Sequence, residues 1–255
     1  MVLHVLAGRC QRRRELMTAP SARHFDAVSF DFYGTLIHHR NGRGRGSNLV
    51  DYVREQGMEP GPWEHRMLYD MFDRHDTDYS PDLPEDEKRD YLRHLAARAF
   101  GCLGVEGGDE LAETHAASLW QILGPDAFAL FPETQSVLAA LRAGGYPLVL
   151  VSNWQRGLGH FVTELDLADA FDQVVGSAEL GVAKPDSRIF EVACDRLGAR
   201  PERVLHVGDT LRDDYEGGRE AGLHTVLLHR GPETTPSGVQ AIDNLRQLLP
   251  GLLSS

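Results

Sequence analysis

The first sign of this chain's architecture is a seven-residue segment, Phe30-Asp31-Phe32-Tyr33-Gly34-Thr35-Leu36. The residues leading into it are mostly apolar and favour a buried β-strand, which Gly34 ends. Asp31 then lies at the carboxyl end of that strand, the side of an open α/β sheet where ligands bind. A carboxylate there is costly unless it is solvated, paired or bound to a metal ion. These residues alone are equally consistent with an Asp that caps a turn and with a functional carboxylate.

The bulk composition is that of an ordinary globular protein of 255 residues, with 42% hydrophobic and 25% charged residues. That length suits one large domain or a core domain with an insertion. A formal net charge of −12 argues against general binding to nucleic acids or membrane surfaces. No run approaches about 18 apolar residues, so no membrane span is predicted. The three cysteines form no CxxC pair, which suits a reducing, cytoplasmic location.

The first 23 residues differ from the rest of the chain. Four arginines crowd the segment 9–14, and the apolar run before them is short for a secretory signal, in which the charges come first. We expect residues 1–23 to be a disordered extension, with Met17 as an alternative start of the protein.

Four further strands are predicted after the first, near residues 147–151, 173–175, 204–207 and 225–228. The run at 147–151 is continuously apolar, which is typical of a central parallel strand buried on both faces. Helical patterns with glycine stops lie between the strands. This alternation predicts an α/β fold whose core is a doubly wound, parallel, five-stranded Rossmann-like sheet.

A long helical block interrupts this alternation, and we interpret it as an inserted helical cap domain. A basic, glycine-rich loop at 38–46 leads into it, either as a surface loop or as a flap that reaches over an anionic ligand. The helical patterns in the block lie near residues 49–53, 63–74, 87–100 and 109–123. The resulting boundaries are 41–124 for the helical cap, and 24–40 with 125–255 for the α/β core.

Reactive polar side chains stand at the ends of three predicted strands: Asp31, Ser152 and Asp209. Parallel strands end at the same edge of a sheet, so these side chains are expected to meet in one crevice. Lys184 falls between them in sequence, and Pro185 restricts its backbone. A carboxylate can attack phosphorus to form an acyl-phosphate, but this attack of one anion on another needs a divalent cation and fixed positive charge.

Each residue type in this group has a role in phosphoryl transfer. Asp31 and Asp209 can hold Mg²⁺, which prefers carboxylates, a carbonyl and water. Asp213 or Asp214 can add a ligand or orient a metal-bound water. The side chains that can donate to phosphate oxygens are Thr35, Ser152 and Lys184.

The order of these motifs resembles that of the haloacid dehalogenase superfamily. The four family motifs resemble, in order, residues 31–36, Ser152-Asn153, Lys184-Pro185 and residues 208–214. The helical insertion between the first two motifs resembles the family's C1 cap. The resemblance covers about residues 25–230, and the second and third motifs are similar to those of a phosphatase-like branch.

This resemblance implies a hydrolase of small phosphate monoesters that uses Asp31 as nucleophile and Mg²⁺ as cofactor. It implies that the metal is held by the Asp31 and Asp209 carboxylates and the main-chain carbonyl of Tyr33, with Asp214 as the further metal residue. The implied catalytic residues are Asp31, Tyr33, Thr35, Ser152 and Lys184, and the implied substrate-binding residues are Ser152, Asn153 and Lys184.

Tyr33 departs from the phosphatase pattern, which usually has a second Asp that protonates the leaving group and later activates water. A tyrosine with a pKa of about 10 is a poor base at neutral pH, and losing acid–base help typically costs about 10²–10⁴ in rate. The pattern Asp-x-Tyr-Gly-Thr is that of the metal-independent 2-haloacid dehalogenases. Their fourth motif is rich in Ser and Asn where this chain has Gly208-Asp209.

The carboxylate of Asp209 decides between these readings. Without a cation it would repel Asp31 and raise the pKa of one of the two carboxyls, which defeats nucleophilic attack. The sequence therefore favours a magnesium-dependent phosphatase. The alternatives are a metal-independent 2-haloacid dehalogenase and a catalytically weakened binding or regulatory module.

Three more residues have less specific interpretations. Trp154 follows the second motif and either stacks on a substrate or packs beneath the cap. His206 lies within a predicted strand and is expected to be a core histidine. Arg212 is expected on the surface of a helix.

Overall fold

The computed structural model describes residues 24–62, 83–231 and 235–253. The extension expected at 1–23 and the helix expected near 63–74 lie outside these ranges. Within them, no helix combines the length and the apolar character needed to cross a membrane.

A parallel sheet of six strands forms the core of the described structure. In chain order the strands are β1 (Ala27–Phe30), β2 (Ile37–His39), β3 (Phe128–Leu130), β4 (Leu148–Ser152), β5 (Gln173–Gly176), β6 (Val204–Gly208), β7 (His224–Leu228) and β8 (Ala241–Ile242). The six-stranded sheet has the order β5-β4-β1-β6-β7-β8. The predicted doubly wound α/β core is confirmed, with one strand more than predicted. Two residues, the length of β8, are too few to produce a recognisable period.

The helices of the described insert lie where the apolar periodicity places them, and most helices of the core lie between its strands, as expected. They are α1 (Arg45–Glu55), α2 (Glu85–Cys102), α3 (Gly108–Leu123), α4 (Thr134–Ala143), α5 (Leu158–Glu164), α6 (Ser177–Leu180), α7 (Ser187–Leu197), α8 (Gly217–Glu220) and α9 (Leu248–Leu253). The bounds of α7 follow from its caps: Asp186 accepts a hydrogen bond from the Arg188 amide at 3.0 Å, and Gly198 takes φ +63° after the last turn.

One helix differs from the prediction. The sequence predicts one helical pattern between β6 and β7, but residues Leu211–Glu216 form a π-helix and α8 follows it. Single π-turns are frequent at functional sites. Here the turn carries Asp214.

Strand β1 occupies the middle of the sheet, and this sets the position of the polar strand ends. Phe30 lies opposite Leu150 of β4 on one side and opposite Val207 of β6 on the other. All three strands are parallel, so they end at the same edge. The residues that follow β1 and β6, and the last residue of β4, therefore lie side by side.

A two-stranded sheet connects the core to the helical insert, of which the structure describes residues 41–62 and 83–124. Strand β2 pairs antiparallel with β3, with Ile37 opposite Leu130 and His39 opposite Phe128. The chain leaves the core through β2 and returns through β3. His38 and His39 thus belong to a strand, and the loop predicted at 38–46 begins later than expected. The strand forms because it pairs with a distant segment, which local composition does not reveal.

The helical insert contacts the core through side chains of α2 and α3. The side-chain amide of Gln155, in the loop after β4, donates from Nε2 to the hydroxyl of Tyr91 at 3.1 Å. The ring of Trp120 meets that of Phe161 edge to face, with 6.0 Å between centroids. Both contacts lie beyond the carboxyl end of β4, so the insert packs on the same side of the sheet as Asp31.

Trp154 packs inside the protein, which decides between its two predicted roles. Its side chain is only 1% exposed. Its ring meets those of Phe32, Phe128 and Phe161 at tilted or edge-on angles, with centroid distances of 5.2, 5.8 and 5.4 Å. Such aromatic packing stabilises the loop after β4 against the first motif and against the returning strand β3.

Replacing Trp154 should therefore destabilise the fold. We expect Trp154→Ala to lower the free energy of unfolding by about 3–5 kcal/mol, because it leaves a cavity among three phenylalanines. Chemical denaturation followed by circular dichroism measures this difference. Trp154→Phe keeps a ring in the cluster and should cost less. A loss below about 1 kcal/mol for Trp154→Ala would contradict this account of the packing.

Candidate active site

Asp31 lies at the centre of a buried group of charges at the carboxyl edge of the sheet. Its amide donates to the Val207 carbonyl at 2.9 Å, which continues the pairing of β1 with β6 by one residue. Its Oδ1 accepts from Lys184 Nζ at 2.6 Å and lies 3.4 Å from Ser152 Oγ. The ends of two strands and the third motif thus converge on one carboxylate oxygen.

Lys184 bridges two carboxylates. Its Nζ also donates to Oδ1 of Asp214 at 2.6 Å, and its side chain is almost completely buried. Burial by itself would lower the pKa of Lys184, but the adjacent Asp214 and Asp31 carboxylates raise it above its usual value. Lys184 therefore remains an ammonium ion and supplies fixed positive charge to the site.

Asn153 holds the backbone of Lys184 in place. Its Oδ1 accepts from the Lys184 amide at 2.7 Å, and its Nδ2 donates to the Lys184 carbonyl at 3.0 Å. Asn153 is among the residues predicted to bind substrate. In the structure its side-chain amide hydrogen-bonds the main chain of Lys184 in the third motif, so it also positions Lys184.

Asp214 is held by hydrogen bonds on both oxygens. Besides Lys184, Oδ1 has a contact of 3.2 Å with His206 Nε2, while Oδ2 accepts from the amide and hydroxyl of Thr210 at 3.0 and 2.5 Å. Burial would raise the pKa of Asp214, but Lys184 and His206 lower it well below its usual range. The carboxylate of Asp214 is therefore charged. The π-helix that contains Asp214 places this carboxylate within hydrogen-bond distance of Thr210.

His206 is a core histidine whose two ring nitrogens contact polar side chains, those of Ser29 and Asp214. It is fully buried, as predicted, and its Nδ1 lies 2.8 Å from the hydroxyl of Ser29. Ser29 is its partner across the β1–β6 pairing. Ser29 thus contacts His206, and His206 contacts the Asp214 carboxylate. The sequence did not predict this chain of contacts.

Asp209 lies against Gly34, and the fit explains why this position is a glycine. A Cβ added at Gly34 would overlap the Asp209 carboxylate, and Gly34 has φ +86°, a conformation that other residues rarely adopt. Burial, together with repulsion from Asp31 and Asp214, raises the pKa of Asp209 well above its usual value. Burial and Asp214 also raise the pKa of Asp31, although Lys184 opposes them.

The three acids match the ligand chemistry of a hard divalent cation. Within the described residues, Asp31, Asp209 and Asp214 each offer an oxygen, and these atoms lie within 4.8 Å of one another. Asp213, the alternative to Asp214, is not part of this group. Lys184 pairs with Asp31 and Asp214, while burial and repulsion from these two carboxylates raise the pKa of Asp209, so a bound Mg²⁺ would offset that repulsion. The residues present therefore fit Mg²⁺.

Thr35 and Tyr33 complete the first motif. Thr35 is fully buried, and its hydroxyl has no hydrogen-bond partner among the described residues. Such a group suits a polar ligand, since unpaired buried hydroxyls are uncommon. The half-buried ring of Tyr33 meets the Phe128 ring edge to face, with 6.0 Å between centroids. Arg212 is exposed, as expected.

Comparisons with known proteins agree with this geometry. A family model described as haloacid dehalogenase-like hydrolase matches residues 25–222. The chain is 29% identical over 164 residues to haloacid dehalogenase-like hydrolase domain-containing protein 3 of Mus musculus, covering 64% of this chain and 65% of that protein. It is 38% identical over 109 residues to the glyceraldehyde 3-phosphate phosphatase of Methanothermobacter thermautotrophicus, covering 39% of this chain and 44% of that protein. The chain thus matches less than two thirds of the length of either relative.

A solved structure has the same fold. The 2-haloacid dehalogenase of Pseudomonas syringae pv. Tomato DC3000 superposes with a TM-score of 0.57 and 24% identity, covering 90% of this chain and 99% of that chain. This likeness concerns the fold alone. The family model, in contrast, spans the first three motifs and the whole of the fourth, within residues 25–222. The chain therefore belongs to the haloacid dehalogenase-like hydrolases.

Proposed function

We propose that this hydrolase is a magnesium-dependent phosphatase of small phosphate monoesters, with Asp31 as its nucleophile. The observation that carries the proposal is the set of three acids, Asp31, Asp209 and Asp214, whose oxygens lie within 4.8 Å of one another, with Lys184 paired to Asp31 and Asp214. The similarity to a glyceraldehyde 3-phosphate phosphatase supports the same class of substrate. Asp31, Asp209, Asp214 and the main-chain carbonyl of Tyr33 would hold the metal.

In the first chemical step, a carboxylate oxygen of Asp31 forms a bond to phosphorus as the bond from phosphorus to the alcohol oxygen breaks. Lys184, Ser152 and Thr35 donate to the phosphoryl oxygens, which gather negative charge as the bonds change. The departing alkoxide takes a proton from water. When bound, Mg²⁺ supplies the positive charge that offsets the repulsion between the two anions.

In the second step, water attacks phosphorus and the acyl-phosphate bond breaks. Inorganic phosphate leaves, and Asp31 returns to a carboxylate. Lys184 keeps its proton throughout, because the Asp31 and Asp214 carboxylates raise its pKa. Its part is to stabilise charge and to hold Asp31, which leaves proton transfer to other groups.

Tyr33 limits the choice of substrate. No carboxyl side chain stands at this position to protonate the leaving group, and a phenol with a pKa of about 10 is a poor base at neutral pH. Substrates with good leaving groups, such as aryl or acyl phosphates, need less protonation and are the ones that this site should hydrolyse fastest. We propose that the helical insert, residues 41–124, is the cap that selects among them.

Dehalogenation is the second candidate, because Asp-x-Tyr-Gly-Thr is also the pattern of 2-haloacid dehalogenases. That reaction uses Asp31 without a metal. Asp209 argues against it, since its carboxylate lies within 4.8 Å of that of Asp31 and burial and like charges raise its pKa. A weakened enzyme that serves as a binding module is the third candidate, and it predicts no turnover of either substrate class.

A phosphate panel tests the proposal directly. With Mg²⁺ present, the purified protein should hydrolyse p-nitrophenyl phosphate or a small sugar phosphate, and EDTA should stop the reaction. Asp31→Asn should lower turnover by about 10³-fold or more, because it removes the nucleophile. Phosphate release measures both effects.

Three outcomes of this test would overturn the proposal. Halide release from 2-chloropropionate without metal would establish the dehalogenase, and inertness across the whole phosphate panel would favour the binding module. Full activity of Asp31→Asn would exclude Asp31 as nucleophile in either enzyme. Arg212→Gln, at an exposed position within the fourth motif, is the matched control and should leave the rate unchanged.

Tyr33→Asp tests what limits the rate. Restoring a carboxyl side chain should raise phosphatase activity by up to about 10²–10⁴-fold, with the largest gain for alkyl phosphates, whose leaving groups need a proton. Steady-state rates across leaving groups of different pKa measure the effect. Tyr33→Asn also removes the ring from Phe128 but adds no acid, and it should give no gain. Equal rates for the two variants would mean that acid–base chemistry at position 33 is not limiting.

A further inference from the structure

Arg230, just after β7, contacts both segments that connect the core to the helical insert. We call these segments the two linkers, residues 35–39 and 128–134. The Arg230 Nη2 donates to the Thr35 carbonyl at 3.2 Å and forms an ion pair with Glu133 Oε1 at 2.7 Å. The Arg230 guanidinium carbon lies 3.7 Å from the centroid of the Phe131 ring. One side chain therefore touches the outgoing linker once and the returning linker twice.

The two linkers are also joined to each other at this point. The Leu36 carbonyl accepts from the Phe131 amide at 3.0 Å and from the Thr134 hydroxyl at 2.8 Å. The ring of His38 lies 4.7 Å from that of Phe131. The linkers thus form one unit, and Arg230 attaches this unit to the sheet.

The ion pair between Arg230 and the buried Glu133 strengthens the attachment of the linkers to the sheet. Glu133 is only 2% exposed, so its carboxylate has lost most of its hydration. Although burial raises the pKa of Glu133, its contact with Arg230 and several backbone hydrogen bonds lower it below the usual value. A planar guanidinium that pairs with a carboxylate, donates to a carbonyl and stacks on a ring is a geometry that lysine cannot reproduce.

The attachment lies one residue from the acid site. Thr35, whose carbonyl Arg230 holds, follows Gly34, and Gly34 packs against the Asp209 carboxylate. The buried Thr35 hydroxyl has no partner among the described residues, so it is free for a ligand. A shift of the outgoing linker would therefore move both the Thr35 hydroxyl and Gly34, which packs against Asp209.

We propose that Arg230 is a positioning residue that fixes the two linkers to the sheet, and with them the helical insert and Thr35. The kinetic consequence rests on the proposed phosphatase function, whereas the structural consequence does not. The linkers are the only described connections between insert and core through the main chain, since residues 41–124 leave and return through them.

Hydrogen–deuterium exchange tests the structural consequence without any assay of activity. In Arg230→Gln, backbone amides of residues 35–39 and 128–134 should exchange faster than in the wild-type protein, while those of β4, β6 and α7 keep their rates. Arg203→Gln is the matched control. It removes an arginine ion pair with Asp26, 2.8 Å long, whose residues flank the amino ends of β1 and β6, and it should leave both linkers unchanged.

Kinetics on the same variants tests the consequence for the site. In Arg230→Gln, kcat should fall by about 10–100-fold with KM changed far less, because a misplaced donor costs more in the transition state than in binding. Arg230→Lys keeps the charge beside Glu133 but loses the stack on Phe131. Its kcat should therefore lie between those of the wild-type protein and Arg230→Gln. Arg203→Gln should match the wild-type protein.

Two results would overturn the proposal. Unchanged exchange in both linkers of Arg230→Gln would show that Arg230 does not hold them. Faster exchange spread evenly over the sheet would show a general loss of stability instead of a local attachment. If no variant or wild-type protein hydrolyses phosphate esters, the proposed function fails, and the exchange experiment still decides the role of Arg230.

Discussion

The ammonium of Lys184, held 2.6 Å from both Asp31 and Asp214, is the interaction on which the site depends. Buried carboxylates become protonated unless an opposite charge lies close by, and a neutral Asp31 could not act as a nucleophile. One cation next to three acids compensates only part of their charge. Burial, together with the remaining repulsion, raises the pKa of Asp209, and a divalent cation bound between the acids would offset that repulsion.

The rest of the structure keeps these charges in register. The parallel pairing of β1 with β4 and β6 brings the strand ends together. Asn153 fixes the main chain of Lys184, and the π-helix turns Asp214 back toward Thr210. Gly34 leaves room for Asp209. In this chain, Asn153 thus helps to place Lys184, and Gly34 makes room for Asp209.

The sequence predicts the sheet and the polar residues at its edge because both depend on local patterns. The continuous apolar run before Ser152 marks a central strand, and parallel strands share an edge, so Asp31, Ser152 and Asp209 could be placed together. The contacts that were missed join residues far apart in sequence. Arg230 and Thr35 are 195 residues apart, and no periodicity encodes their contact. The sequence does contain one indication of the Ser29–His206 contact, because each of the two apolar strands has a polar residue at this position.

In the proposed reaction, Asp31 carries the phosphoryl group between the two steps. The direct measurement is borohydride reduction of protein quenched during turnover of a phosphate ester, followed by mass spectrometry of the tryptic peptide 24–40. Borohydride reduces an acyl-phosphate to an alcohol, so Asp31 should appear as homoserine, and only when substrate and Mg²⁺ are both present. Phosphate release with Asp31 unmodified at every quench time would contradict the account.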